Sequence, residues 1–139
     1  MRRRKLLIAD DSEMNRAILA NVLDQEFEVI EATNGQEVII ALQSYGTQIS
    51  ALLLDIVMPE MDGFEVLEEM NRRHWIEDIP TIMISAETSN TYIDRAFELG
   101  ASDYISRPFD MAVVRRRVSN TLMLYARQKH LVHLVEQQV

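Results

Sequence analysis

The sequence predicts an α/β fold: a five-stranded parallel sheet with helices on both faces and an extended C-terminal helix. Three observations carry this. Short apolar runs alternate with amphipathic stretches five times along the chain. Glycine and proline fall only at the junctions between them. One run, Ala51-Leu52-Leu53-Leu54, is apolar at every position, as suits a central parallel strand covered on both faces.

The elements follow in order. Lys5 to Ala9 reads as the first strand, ended by Asp10-Asp11. Ser12 is placed to cap a helix over about residues 13–25, with Met14, Ala17, Ile18, Val22 and Leu23 on its buried stripe. Phe27 to Ala32 is the second strand. Asn34-Gly35 opens a helix through Val38, Ile39, Ala41 and Leu42, and Gly46 closes it. The third strand, Ala51 to Leu54, ends at Asp55, and Ile56-Val57-Met58-Pro59 forms a loop. Asp62-Gly63 opens a helix through Phe64, Val66, Leu67 and Met70. Thr81 to Ile84 is the fourth strand and ends at Ser85. A helix from about Thr91 to Leu99 stops at Gly100. Tyr104-Ile105 is the core of the fifth strand, which Pro108 terminates because proline has no N–H for the ladder. The last helix begins near Phe109 and meets no breaker from Met111 to Val139. About four turns would cover a sheet, so the remainder, with Leu124, Leu131, Leu134 and Val135 on one stripe, is in excess. It reads either as a surface helix with a frayed end or as a coiled-coil or signalling helix leading to a further domain.

The totals bound the function. One domain fits 139 residues. There is no cysteine, which excludes disulfides and thiolate metal sites. No apolar stretch reaches membrane-span length, and the LLIA run after MRRRK is too short for a signal-peptide core; the expectation is a soluble cytoplasmic protein with no membrane partner. A net charge of −8 argues against broad nucleic-acid binding. The charge is uneven: residues 1–106 carry −12 and residues 107–139 carry +4, so the acidic part and the basic tail are expected to do different jobs.

In an open parallel sheet, functional side chains gather at the carboxyl ends of the strands. Here those ends carry Asp10 and Asp11, Asp55, Ser85 and Arg107. Each alone has an ordinary structural use, as a helix cap, a turn residue, a backbone-bonded hydroxyl or a surface charge. Together they make a site. Three neighbouring carboxylates stay ionised only beside a cation, unless one takes up a proton. Hard oxygen ligands with no nearby His or Cys favour Mg²⁺ over zinc. Such a site suits phosphoryl transfer, with one carboxylate as nucleophile and Ser85 and Arg107 as a hydroxyl and a cation for the remaining phosphoryl oxygens.

The stretches "LLIADDSEMNR", "ALLLDIVMPEMDGFEVL", "IPTIMISAE" and "GASDYISRPF" occur in the order and spacing of a known family. The chain resembles a response-regulator receiver domain of two-component signalling over about residues 4–125. The resemblance implies the strand order 2-1-3-4-5. It implies that Asp55 accepts a phosphoryl group from a sensor histidine kinase or phosphotransfer protein. It further implies that Asp10, Asp11, Asp55 and the backbone carbonyl of Val57 hold Mg²⁺, that Ser85 and Tyr104 are the switch residues, and that the bond before Pro108 is cis. Residues 1–123 would then be the receiver, a phosphoacceptor rather than an enzyme in its own right. Residues 124–139 would be a helical connector to an output domain or effector, with a homodimer through that helix as a further expectation. In the cycle this implies, phosphorylation draws in Ser85, and Tyr104 turns inward to fill the space.

The sequence departs from the family in two places. Arg107 stands where the family has lysine, and a planar guanidinium is no substitute for a compact ammonium. Val57, two residues after Asp55, is apolar, which implies slow loss of the phosphoryl group. Two rivals follow. One is a degenerate receiver that binds partners without phosphorylation, supported by Arg107. The other is an aspartyl-nucleophile phosphatase, which needs an acid where Val57 stands.

Overall fold

The computed structural model describes residues 3–87 and 89–137. The strands are β1 (Arg4–Ala9), β2 (Phe27–Ala32), β3 (Ile49–Asp55), β4 (Thr81–Ser85) and β5 (Asp103–Ser106). The helices are α1 (Glu13–Leu23), α2 (Gly35–Tyr45), α3 (Gly63–Arg72), α4 (Asn90–Glu98) and α5 (Met111–Gln137). All strand pairs are parallel and the order is β2-β1-β3-β4-β5. Gln138 and Val139, the end of the expected last helix, lie outside the described residues.

The period of two along the strands divides the core into two layers. Leu7 and Ala9 of β1, with Leu52 and Leu54 of β3, face α2, α3 and α4. Leu6 and Ile8, with Leu53 and Ile82, face α1 and α5. All eight are fully buried, and each burial contributes about 1.5–3 kcal/mol for a large aliphatic side chain. This is why β3 shows no polar alternation over Ala51 to Leu54.

Caps fix where the helices begin. Ser12, Asn34, Asp62 and Ser89 each accept a hydrogen bond from the backbone N–H three residues on. At α3 the Glu65 side chain also accepts from the Asp62 backbone N–H, completing a reciprocal box. Gly100 ends α4 at φ +102°, a backbone region that side chains with a Cβ rarely adopt.

One expectation is corrected. The buried face of α1 centres on Leu19 and Leu23, while Met14 is 73% exposed and Ala17 is also exposed. The expected stripe followed apolar identity, and Leu19 was left out of it. The helix is in fact rotated so that the pair at i and i+4 with the largest aliphatic volume meets the sheet. Two short 3-10 turns, Gly46–Gln48 and Trp75–Glu77, lead into β3 and towards β4 and were not anticipated.

The helix α5 runs unbroken to Gln137. Its buried residues, Val114, Val118 and Thr121, all lie in the first half. Contact with the body continues through the Tyr125 hydroxyl, 3.4 Å from the Ile76 carbonyl, and through Lys129, 3.8 Å from Asp78. Beyond that, Leu131, Val132, Leu134 and Val135 are exposed. Among the described residues no helix is long and apolar enough to cross a membrane.

Candidate functional site

The sheet register builds the site. Ala9 pairs with Leu54, and Asp55 pairs with Ile84. One step further along the strands, Asp10, Asp55 and Ser85 therefore reach the same edge. Ser85 pairs with Ser106, which brings the next residue, Arg107, to that edge as well. The strand order reverses direction around β1 and β3, and the crevice opened there lies between Asp10 and Asp55.

Carboxylate oxygens of Asp10, Asp11 and Asp55 lie within 4.8 Å of one another. Asp10 and Asp55 are buried, at 0% and 2% exposure, whereas Asp11 is exposed. Burial, and secondarily the charge of Asp10, push the Asp55 carboxyl up to about 6, against the pull of Arg107. Burial raises Asp10 too, opposed by the Ser12 N–H that donates to its Oδ1 at 2.9 Å and by Arg107. A cation beside two such acids relieves both their burial and their mutual repulsion. The set is all oxygen, which fits a hard divalent ion such as Mg²⁺ and offers nothing to a soft metal.

Arg107 points inward. Its Nη2 donates to Asp55 Oδ2 at 2.8 Å and also to Asp10 Oδ2. Its Nε is buried without a hydrogen-bond partner. The Arg107–Pro108 bond is cis. The arginine is thus a pointer and not a surface charge.

Ser85 is buried, and its Oγ accepts from the Glu87 N–H at 3.2 Å. Tyr104 is already inside, 8% exposed, with its hydroxyl donating to the Glu87 carbonyl at 2.6 Å. This is the inward position that the switch cycle calls for. Val57, two residues after Asp55, is 60% exposed and its side chain is apolar.

Several positioning residues escaped the sequence reading. Arg16 donates to the Asp10 carbonyl at 2.7 Å and to Glu31 at 3.1 Å, tying the loop after β1 to β2. The only signal for it was a lone basic residue on α1. Gly63 donates to the Ile56 carbonyl at 2.8 Å, and a Cβ there would lie 2.4 Å from the Asp55 backbone oxygen. Gly63 thus allows α3 to start directly against the strand end that carries Asp55. Arg117 of α5 donates to the Tyr104 carbonyl at 2.9 Å and pairs with Asp103 at 3.1 Å, linking the last helix to β5.

Residues 6–119 match the family described as response regulator receiver domain. The response regulator RR06 of Streptococcus pneumoniae is 38% identical over 121 residues, covering 86% of this chain and 54% of that protein. A probable cyclic di-GMP phosphodiesterase of Vibrio cholerae is 35% identical over 117 residues, covering 84% of this chain and 26% of that protein. The chain therefore spans about half, or about a quarter, of the length of these relatives. Among solved structures, a chain of the CheX-CheY-BeF3-Mg²⁺ complex from Borrelia burgdorferi is 31% identical with a TM-score of 0.76, covering 84% of this chain and 87% of that one. A match over more than three quarters of the sequence, on a fold with this strand order and this acidic cluster, has one reading: the chain belongs to the response-regulator receiver family.

Proposed function

We propose that Asp55 is the residue that accepts the phosphoryl group, from a partner histidine kinase or phosphotransfer protein, in a Mg²⁺-dependent reaction. The observation that carries this is the convergence of three carboxylates within 4.8 Å, with Asp55 buried and pinned by a cationic side chain. Asp10, Asp11, Asp55 and the Val57 carbonyl would hold the metal, which when bound neutralises charge on the phosphoryl oxygens. The residues do the rest. An Asp55 carboxylate oxygen attacks phosphorus in line, the P–N bond of the donor phosphohistidine breaks, and the imidazole nitrogen leaves carrying the bonding pair. Arg107, with five N–H donors, takes phosphoryl oxygens from one side. Ser85 offers its hydroxyl from the end of β4.

Output follows from the switch pair. Tyr104 is held inside by Glu87, and Arg117 connects the Tyr104 backbone to α5. Phosphorylation would bias this face, and α5 would carry the bias beyond residue 123 to an output domain, an effector or a second copy. The presence of receivers within longer relatives supports the connector reading of residues 124–139.

The test is incubation with a small phosphodonor and Mg²⁺ followed by intact mass. The expected result is the gain of one phosphoryl group, lost in Asp55→Asn and in EDTA. One observation favours a second reading, a receiver that acts without phosphorylation: Arg107 already satisfies both Asp10 and Asp55. No mass gain in the wild-type chain would select it.

A further inference from the structure

Aliphatic packing anchors α4 weakly. Among the described residues of α4, Ala96 alone is buried, with Ile93 partly buried against the same core layer. The neighbouring α3 buries Phe64, Val66, Leu67 and Met70. A separate set of contacts ties the two helices together. The Phe64 ring stacks on that of Tyr92, with centroids 5.6 Å apart and planes 11° apart. The Arg95 guanidinium lies 4.5 Å from the Phe64 ring centroid, and its Nη2 pairs with Glu68 at 3.2 Å. Phe64 and Glu68 are spaced i, i+4 on α3, and Tyr92 and Arg95 i, i+3 on α4, so each pair shares one helix face. Phe64 is buried, but Tyr92 is 39% exposed and Glu68 and Arg95 are about half exposed. The ring and the guanidinium of α4 are therefore not core filling; they fasten α4 to α3. The segment just before α4 carries the partners of the switch pair. There Glu87 donates its N–H to Ser85 Oγ at 3.2 Å, and its carbonyl accepts from the Tyr104 hydroxyl at 2.6 Å. Ser89 closes that segment by accepting from the N–H of Tyr92 itself, at 3.4 Å.

We propose that Tyr92 and Arg95 are positioning residues for the switch pair: by clasping Phe64 and Glu68 they fix the start of α4, and with it Glu87, the shared partner of Ser85 and Tyr104. The proposal deepens the function proposed above and rests on Ser85 and Tyr104 being the switch residues. The clasp also reaches the acceptor. Phe64 follows directly on Gly63, whose N–H donates to the Ile56 carbonyl at 2.8 Å and whose Cα faces the Asp55 backbone. A shift of the first turn of α3 is thus passed to α4 through a stacked ring and a guanidinium. Neither Tyr92 nor Arg95 belongs to the two core layers, so the clasp can open, and release Glu87, while the sheet stays folded.

The experiment is native-state amide hydrogen exchange by NMR on wild type, Tyr92→Ala, Tyr92→Phe and Arg95→Ala, with no phosphodonor present. The Glu87 amide is read against the amides of Leu53 and Ile82 in the sheet. In the wild type Glu87 is expected to exchange faster than the sheet amides, through a local opening. Its exchange is expected to be about 5–10-fold faster in Tyr92→Ala and about 3–5-fold faster in Arg95→Ala. Tyr92→Phe keeps the stacked ring and is expected to stay within about 2-fold of the wild type. In both alanine variants the Tyr104 ring signals are expected to move towards those of an exposed tyrosine. Clasp residues that only add to global stability would speed the sheet amides and leave Glu87 unchanged, and that result overturns the proposal. Tyr92→Phe exchanging as fast as Tyr92→Ala overturns it too. Should Tyr92→Ala fail to fold, Arg95→Ala decides by the same measure. The absence of a mass gain with the small phosphodonor would remove the phosphoacceptor reading and leave this exchange result standing, which separates the two failures.

Discussion

Asp55 ionises at a cost in the metal-free chain, and that cost is measurable. Its carboxyl is held near 6 in the fold against an ordinary value of 3.8, mainly by burial and then by Asp10. A carboxyl raised on folding binds its proton more tightly in the native state than in the unfolded one. The resulting stability is full below about pH 4 and is lost as pH rises through about 6. The gap between the two values corresponds to about 3 kcal/mol, of which about 2 kcal/mol falls between about pH 4.5 and pH 7.5. Urea unfolding in EDTA at those two pH values, for wild type and Asp55→Asn, isolates the contribution of Asp55 together with its coupling to Asp10, because the remaining carboxylates contribute similarly to both proteins. The wild type is expected to lose about 2 kcal/mol more than the variant across the interval. Adding Mg²⁺ at the higher pH is expected to restore the wild type and to leave the variant nearly unchanged. Parallel losses in the two proteins would refute the claim that burial and Asp10 strain the acceptor.

Three other outcomes are expected. Gly63→Ala forces a Cβ to within 2.4 Å of the Asp55 backbone oxygen and is expected to cost about 1–3 kcal/mol; a change under about 0.5 kcal/mol in urea unfolding would mean the α3 start gives way easily. Tyr104→Phe keeps the ring and removes the 2.6 Å bond to the Glu87 carbonyl. It is expected to cost about 1 kcal/mol and to let the ring leave the interior, read as faster ring exchange by NMR. Val57→Asn replaces an exposed apolar side chain two residues after Asp55 with an amide and is expected to shorten the phosphoaspartate lifetime, measured by loss of radiolabel; a wild type that decays faster than the variant contradicts the reading of Val57.

The fold was legible because its signals are local and repeated. The all-apolar run in β3, the Asn34 and Asp62 caps and the Gly46 and Gly100 stops each follow from the chemistry of one or two side chains. The rotation of α1 was not legible from apolar identity. Met14 and Ile18 are apolar side chains of about the size of Leu19, and the sheet selects among them by shape. The 3-10 turn at Trp75–Glu77 has no strong breaker, and packing of Ile76 against Gly100 helps to hold it.

The site was legible as a set of strand ends and not as a set of bonds. Parallel register converts "last residue of the strand" into "same edge of the sheet", so Asp10, Asp55, Ser85 and Arg107 could be grouped before any distance was known. Register says nothing of which way a long side chain turns once it arrives. Arg107 had two choices, solvent or the acids. The balance is set by how deeply Asp10 and Asp55 are buried, which depends on residues remote in sequence, among them Gly63. The same holds for Tyr104. Its place in β5 follows from its neighbours, but its inward turn depends on the Glu87 carbonyl, supplied by the loop after β4. In both cases the sequence order brings the partners to one edge, and the burial they share decides which bonds they make.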